Sequence, residues 1–165
     1  MTLQEFHVQS QKLKTRNRAF FNKLKRNTSK NLDVFFHRAH AEVFEHTDCL
    51  KCANCCKTTS PIFYQIDIER VAKALQIKPG VFIQQYLYMD EEGDFVLKQA
   101  PCPFLDQNNY CQIYESRPKA CKEYPHTDRK KMQQILDLTF QNTLVCPAVL
   151  AIVERVEVAL KSSWL

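Results

Sequence analysis

Four thiols crowd into eight positions of this chain, as Cys49-x2-Cys52-x2-Cys55-Cys56. Two residues between cysteines let a tight loop aim successive thiolates at one ion, and both zinc sites and iron–sulfur clusters use that spacing. Four more cysteines follow, Cys102, Cys111, Cys121 and Cys146. Eight thiolates suit two four-ligand sites, or one cluster plus cysteines that are structural or redox-active. Cysteines buried only as small apolar groups have no reason to concentrate this way, so metal binding is the expected chemistry and all eight are candidate ligands.

Spacing does not choose the metal. The first three cysteines have the spacing of a ferredoxin-type run, whose fourth ligand is commonly a Cys-Pro. Cys102-Pro103 and Cys146-Pro147 both offer one, neither at the expected offset. A zinc ribbon needs a second C-x-x-C pair, which this sequence lacks, and the C-x3-C-x2-C run of S-adenosylmethionine radical enzymes is also missing. Zinc and iron–sulfur both stay open on spacing.

The cysteines also carry distinctive neighbours. The Cys49–Cys56 run is followed by Pro101-Cys102-Pro103-Phe104-Leu105, Cys111-Gln112-Ile113-Tyr114, Arg117-Pro118-Lys119-Ala120-Cys121 and Tyr124-Pro125. Together they resemble the YkgJ-type cysteine-cluster family, a zinc- or iron-chelating domain, over about residues 49–147. That domain also occurs in flagellin lysine N-methylases, so the resemblance implies a cluster used in modifying a protein side chain. Here the sequence beside the cysteine domain reads as two N-terminal helices, so a further catalytic domain is not expected. Methylase activity is therefore not expected, and whether the chain is an enzyme stays open. The leading expectation is an iron–sulfur cluster serving redox or protein-modification chemistry. The alternative is a structural zinc-binding interaction module with a basic helical arm.

Accessory residues have weaker signals. Arg117 lies between Cys111 and Cys121, where a guanidinium offsets the charge of a tetrathiolate site, unless it is an ordinary surface or capping arginine. Tyr114 and Tyr124 are expected to pack around the site. His126 is a substitute ligand that eight thiols make unnecessary. His37, His40 and His46 share no clean helical face, so a solvated or packing role is expected, and Asp67 reads as a helix cap.

The elements that must position these groups follow from periodicity. The expected fold is an α-rich α+β arrangement: an N-terminal helical pair, a cysteine-rich metal-binding centre with a small β-hairpin, and C-terminal helices. An apolar stripe of Phe6, Leu13, Phe20 and Leu24 predicts a helix over 4–27. Asn27-Thr28-Ser29 breaks it, and Ser29 or Asn31 caps a second helix over 31–46, striped by Leu32, Phe35, Phe36, Ala39 and Val43. After the cysteine loop, 61–64 is extended, Asp67 caps a helix at 68–75, and a turn at 78–80 leads to a helical run at 81–87. Tyr86–Met89 and Phe95–Leu97 flank an acidic loop and read as a hairpin. Residues 100–126 are loop with at most one helical turn, 128–141 is a helix, and Pro147 opens the last helix. Residues 1–47 form the basic pair and 48–165 the cysteine domain, together one compact unit.

Composition narrows the function classes. The chain has 165 residues, 45% hydrophobic and 25% charged, which is globular rather than disordered. Its only glycines, Gly80 and Gly93, stand too far apart for any glycine-rich phosphate cradle, so the dinucleotide fingerprint and the P-loop are excluded. The net charge of +5 is uneven: residues 1–32 carry eight Lys/Arg against Glu5 alone, and the remainder is slightly acidic. That basic arm admits RNA, anionic lipid or an acidic protein face as a partner. Without a glycine-rich or aromatic-ladder motif, a solvated basic face is preferred, a protein is the partner class retained, and nucleic acid is not favoured. No apolar run approaches the roughly 20 residues of a membrane span, and no secretory signal is visible. A cytoplasmic protein with reduced thiols is expected, and such thiols favour metal over disulfides.

Overall fold

A computed structural model describes residues 2–27 and 31–163. In chain order the elements are α1 (Leu3–Arg26), α2 (Leu32–Phe44), α3 (Cys49–Cys52), α4 (Asn54–Thr58), α5 (Gln65–Ala74), α6 (Pro79–Tyr86), β1 (Leu87–Met89), β2 (Phe95–Leu97), α7 (Lys119–Glu123), α8 (Leu136–Asn142) and α9 (Pro147–Ser163). The fold is α-rich with one small antiparallel sheet. Its contacts divide it into two units, residues 1–48 with 125–165, and residues 49–124.

The first unit is helical. A capping box opens α1: Thr2 Oγ1 accepts the Glu5 amide at 3.2 Å and Glu5 returns a carboxylate to the Thr2 amide at 2.7 Å. Phe6, Phe20, Phe21 and Leu24 are buried along one face, as the period of the sequence requires. Helix α2 packs along α9, and α1 lies on α8 and α9. Phe36, Phe140, Ile152, Val153 and Val156 fill the shared core, where Phe21 meets Phe140 edge-on at 5.8 Å. Asn31 stands at the N-cap of α2; Ser29 lies outside the described residues.

The helix expected over 128–141 starts later. Lys131 is left-handed, with φ 62°, and a 3-10 turn over Met132–Ile135 precedes α8. The Asp33 carboxylate accepts the amides of Lys131 at 2.7 Å and Met132 at 2.8 Å, so a side chain of α2 caps that turn. Much of the basic arm is matched within this unit. Arg16 reaches Glu154 at 3.5 Å and Glu157 at 3.6 Å, Lys25 reaches Asp137 at 2.5 Å, and Arg18 stacks 3.8 Å from the Phe140 ring centre.

The second unit is built on the hairpin. Strands β1 and β2 pair with Leu87 opposite Leu97 and Met89 opposite Phe95, and Phe63 bridges to Phe95 from the extended segment before α5. Asp90 Oδ1 accepts the amides of Glu92 and Asp94, and Gly93 supplies the positive φ of 85° that the turn needs. Phe63, Ile68, Val71, Phe82, Leu87, Leu97, Phe104 and Ile113 form the core. Helix α5 begins at Gln65 with Tyr64 as its N-cap. Asp67, expected at the cap, instead sits in the first turn and accepts the Tyr64 amide from there, at 3.2 Å. Helix α6 starts at Pro79, two residues earlier than expected, because proline's fixed φ suits a first helical turn.

Candidate metal centre

The Cys49–Cys56 run folds as two short helical turns around a left-handed residue. Helix α3 carries Cys49 and Cys52, Ala53 turns the chain at φ 49°, and α4 carries Cys55 and Cys56. The Ala53 amide closes the first turn on the Cys49 carbonyl at 2.8 Å. A buried non-glycine residue in this conformation is costly, and it redirects the chain between Cys52 and Cys55. Cys49 is exposed, and the other seven cysteines are half-buried.

Two further segments meet this one. The Cys102 amide donates to the Cys56 carbonyl at 2.8 Å, joining α4 to the Pro101–Phe104 stretch. Leu105 then bridges to Cys111 across a tight loop in which Asp106 Oδ1 accepts the amides of Asn108 and Tyr110, both at 2.8 Å. Asn109 is left-handed in that loop, and its side chain donates to the Leu50 carbonyl in α3 at 2.6 Å. Cys102 and Cys111 pack against the apolar core, and α7 supplies Cys121.

Electrostatics ties four of these thiols together. The Cys55 thiol, 4.0 Å from Cys56, hydrogen-bonds to it and lowers its pKa to about 7. Burial opposes that shift, and the charges of Arg117 and Lys57 assist it. Burial pushes Cys102 up to about 11, and the negative charges of Cys56 and Cys111 add to the rise. Cys121 is pushed up to about 12 by burial and then by Cys56, Cys102 and Cys111. Cys111 is raised by burial and Cys56. Opposing these rises, the backbone amides of Phe104 and Leu105 hydrogen-bond to the Cys102 sulfur, and that of Ile113 to Cys111. Arg117 acts favourably on Cys56, Cys111 and Cys121. Its guanidinium lies over Tyr114, 3.5 Å from the ring centre, and its buried Nε has no acceptor among the described residues.

Cys56, Cys102, Cys111 and Cys121 are linked by charge, with Arg117 acting on three of them, and Cys55 is hydrogen-bonded to Cys56; Cys49 and Cys52 stand in the preceding turn. Cys146 belongs to the helical unit, where it precedes α9 and packs on the Phe36–Ile152 core. His126 also belongs to that unit. Two of the other histidines have polar partners there: His37 meets the Arg129 carbonyl and His40 meets Thr127 Oγ1, each at 2.8 Å. Sequence reasoning missed the pairing of buried Asp67 with half-buried Arg70, which ties the segment before Cys121 to α5. An acidic and a basic residue three positions apart carried no signal beyond helix capping.

Among the described residues, no three His, Cys, Asp or Glu side chains are drawn close enough to hold one ion. The donor chemistry fits a soft metal. All the donors are sulfur, backbone amides already serve two of them, and an unsatisfied guanidinium N–H accompanies them.

No curated protein and no solved structure matches the chain. A family profile does: the CxxCxxCC family, described as a "putative zinc- or iron-chelating domain", matches residues 48–141, more than half of the sequence. That span contains the two cysteine turns, the Cys102–Cys111 loop, Arg117 and Cys121, and by it this chain belongs to the CxxCxxCC family of zinc- or iron-chelating domains.

Proposed function

We propose that this protein holds an iron–sulfur cluster in its cysteine unit and uses it for redox chemistry or for modifying a protein side chain. The observation that carries the reading is the donor set: residues 49–124 contain seven cysteines and no histidine. Catalytic zinc keeps an open position and relies on histidine among its three protein ligands, so an all-sulfur set points away from it. Four cysteines are the usual ligation of iron–sulfur clusters. In this reading Cys56, Cys102, Cys111 and Cys121 are the primary ligands, and Cys49, Cys52 and Cys55 lie close enough in sequence to form or complete a further set. Cys146 takes no part in the primary set.

When bound, the cluster supplies one-electron transfer. The chain's own residues tune it. Amides directed at the Cys102 and Cys111 sulfurs and the Arg117 charge favour added negative charge, and the apolar core behind Cys102 and Cys111 limits water on that side.

One observation favours a second reading, a structural zinc. The cysteine unit has fewer than 80 residues and mostly short elements, a size at which metal often supplies folding energy. The basic helix α1 would then carry binding to a protein partner. Metal analysis with an absorption spectrum, on the full chain purified without oxygen, separates the two. Iron with sulfide and a broad band at roughly 400 nm supports the cluster. Zinc with no visible band supports the structural module, and a chain that takes up neither metal sinks both.

A further inference from the structure

Asp67 is fully buried, and its carboxylate binds three groups. Oδ1 pairs with Arg70 Nη2 and accepts the Lys119 amide at 3.1 Å, while Oδ2 accepts the Tyr64 amide at 3.2 Å. Arg70 spends its other bonds on the same distant segment. Its Nη2 donates to the Arg117 carbonyl at 2.9 Å and its Nε to the Ser116 carbonyl at 3.2 Å. A buried carboxylate and its guanidinium thus grip three backbone partners within four residues, at Ser116, Arg117 and Lys119, from a helix about fifty residues earlier in the sequence.

What they grip decides their role. Lys119 is the first residue of α7, so its amide has no partner within the helix, and Asp67 satisfies it. Two residues on, α7 presents Cys121; two residues back, the gripped peptide carries Arg117. A packing role would be served by apolar residues at lower desolvation cost than a fully buried carboxylate carries. Arginine's planar fork does what apolar packing cannot: it holds two successive carbonyls while remaining paired with its carboxylate.

We propose that Asp67 and Arg70 are the positioning pair of the metal centre, setting where Cys121 and Arg117 stand relative to Cys56, Cys102 and Cys111. The inference rests on the metal-holding role proposed above. Neither residue touches the metal; both act through the Ser116–Cys121 segment.

The test uses the full chain in its metal-free, reduced form with Co2+ as the probe, because thiolate-to-cobalt absorption reports ligand geometry. Arg70→Lys is the informative variant, since it keeps the charge beside Asp67 but lacks the fork that spans both carbonyls. Asp67→Asn is the second, retaining one acceptor oxygen, and so one of the two amide bonds, without the charge. In both, the expected result is a changed thiolate–cobalt spectrum and Co2+ loss to a chelator about tenfold faster, with the far-ultraviolet circular dichroism of wild type. The metal-free form of each variant is expected to show faster alkylation of Cys121 than wild type, with Cys146 unchanged. Wild-type spectra and release rates in Arg70→Lys, on a chain that binds Co2+, overturn the positioning role and leave the metal-holding role standing. A wild-type chain that gives no thiolate–cobalt band overturns both. If Arg70→Lys is unfolded, a wild-type spectrum in folded Asp67→Asn decides against the pair and a changed one decides for it.

Discussion

Loading this centre should release protons, and the thiol environments say how many. A metal takes thiolates, so each ligand that is protonated in the empty site gives up its proton on binding. At pH 7 the Cys56 thiol, at about 7, is half ionised. Cys102 at about 11 and Cys121 at about 12 are fully protonated, and Cys111, raised above its ordinary value, is protonated as well. Binding to these four therefore releases about 3.5 protons at pH 7 and about 3 at pH 8, where Cys56 is already a thiolate. Affinity rises with pH by that power, so Kd falls about a thousandfold over that one unit. Co2+ competition against a chelator across about pH 6.5 to 8 measures the slope, and calorimetry in two buffers of different ionisation enthalpy counts the protons directly. Cys121→Ser should lower the slope by about one. A slope near one in the wild type would refute the reasoning, because it would mean that the ligands are other thiols or are already ionised in the empty site.

The metal-free protein should lose stability in alkali. Cys102 and Cys121 have folded pKa values raised above the ordinary 9.0, so the stability that their thiols contribute is complete below about 9 and is lost as pH rises through about 11 to 12. Urea unfolding of the reduced, metal-free chain at a series of pH values checks this; a midpoint that climbs above pH 9 contradicts it. In the helical unit, Phe36→Ala should cost about 3–5 kcal/mol in urea unfolding, because Phe36 is fully buried between helices; a loss under about 1 kcal/mol would show a site that collapses around the deletion. Neutralising Lys23, Lys25 and Arg26 together should leave metal content unchanged by elemental analysis. It should cost little stability, since the ion pair of Lys25 with Asp137 is exposed.

Periodicity carried the long elements. The Phe6–Leu24 stripe, the Leu32–Val43 stripe and Pro147 mark α1, α2 and α9 because a helix that buries one face must repeat apolar residues near 3.6, and because proline tolerates only a first turn. The hairpin was legible for the same kind of reason, two short β-forming runs around an acidic, glycine-bearing turn. Element starts were less legible where a distant side chain decided them. Asp33 caps the turn before α8 across about a hundred residues of sequence, and nothing in residues 128–141 announces it.

The metal-binding chemistry was likewise written in local sequence, because ligand type and C-x-x-C spacing are properties of a few neighbouring residues. Which thiols meet was not. Residues 100–126 have no periodicity to read, and their course is set by long-range hydrogen bonds: Cys102 to the Cys56 carbonyl, Asn109 to the Leu50 carbonyl, and the Asp67–Arg70 pair to Ser116, Arg117 and Lys119. Cys146 lies in the helical unit, where α9 packs along α2, a placement its Cys-Pro dipeptide does not announce. Sequence by itself determined the kind of chemistry and the helices that frame it. Only the tertiary structure set the burial and electrostatic surroundings of Cys56, Cys102, Cys111 and Cys121, because these depend on which segments meet in space, and that depends on partners far apart in the chain.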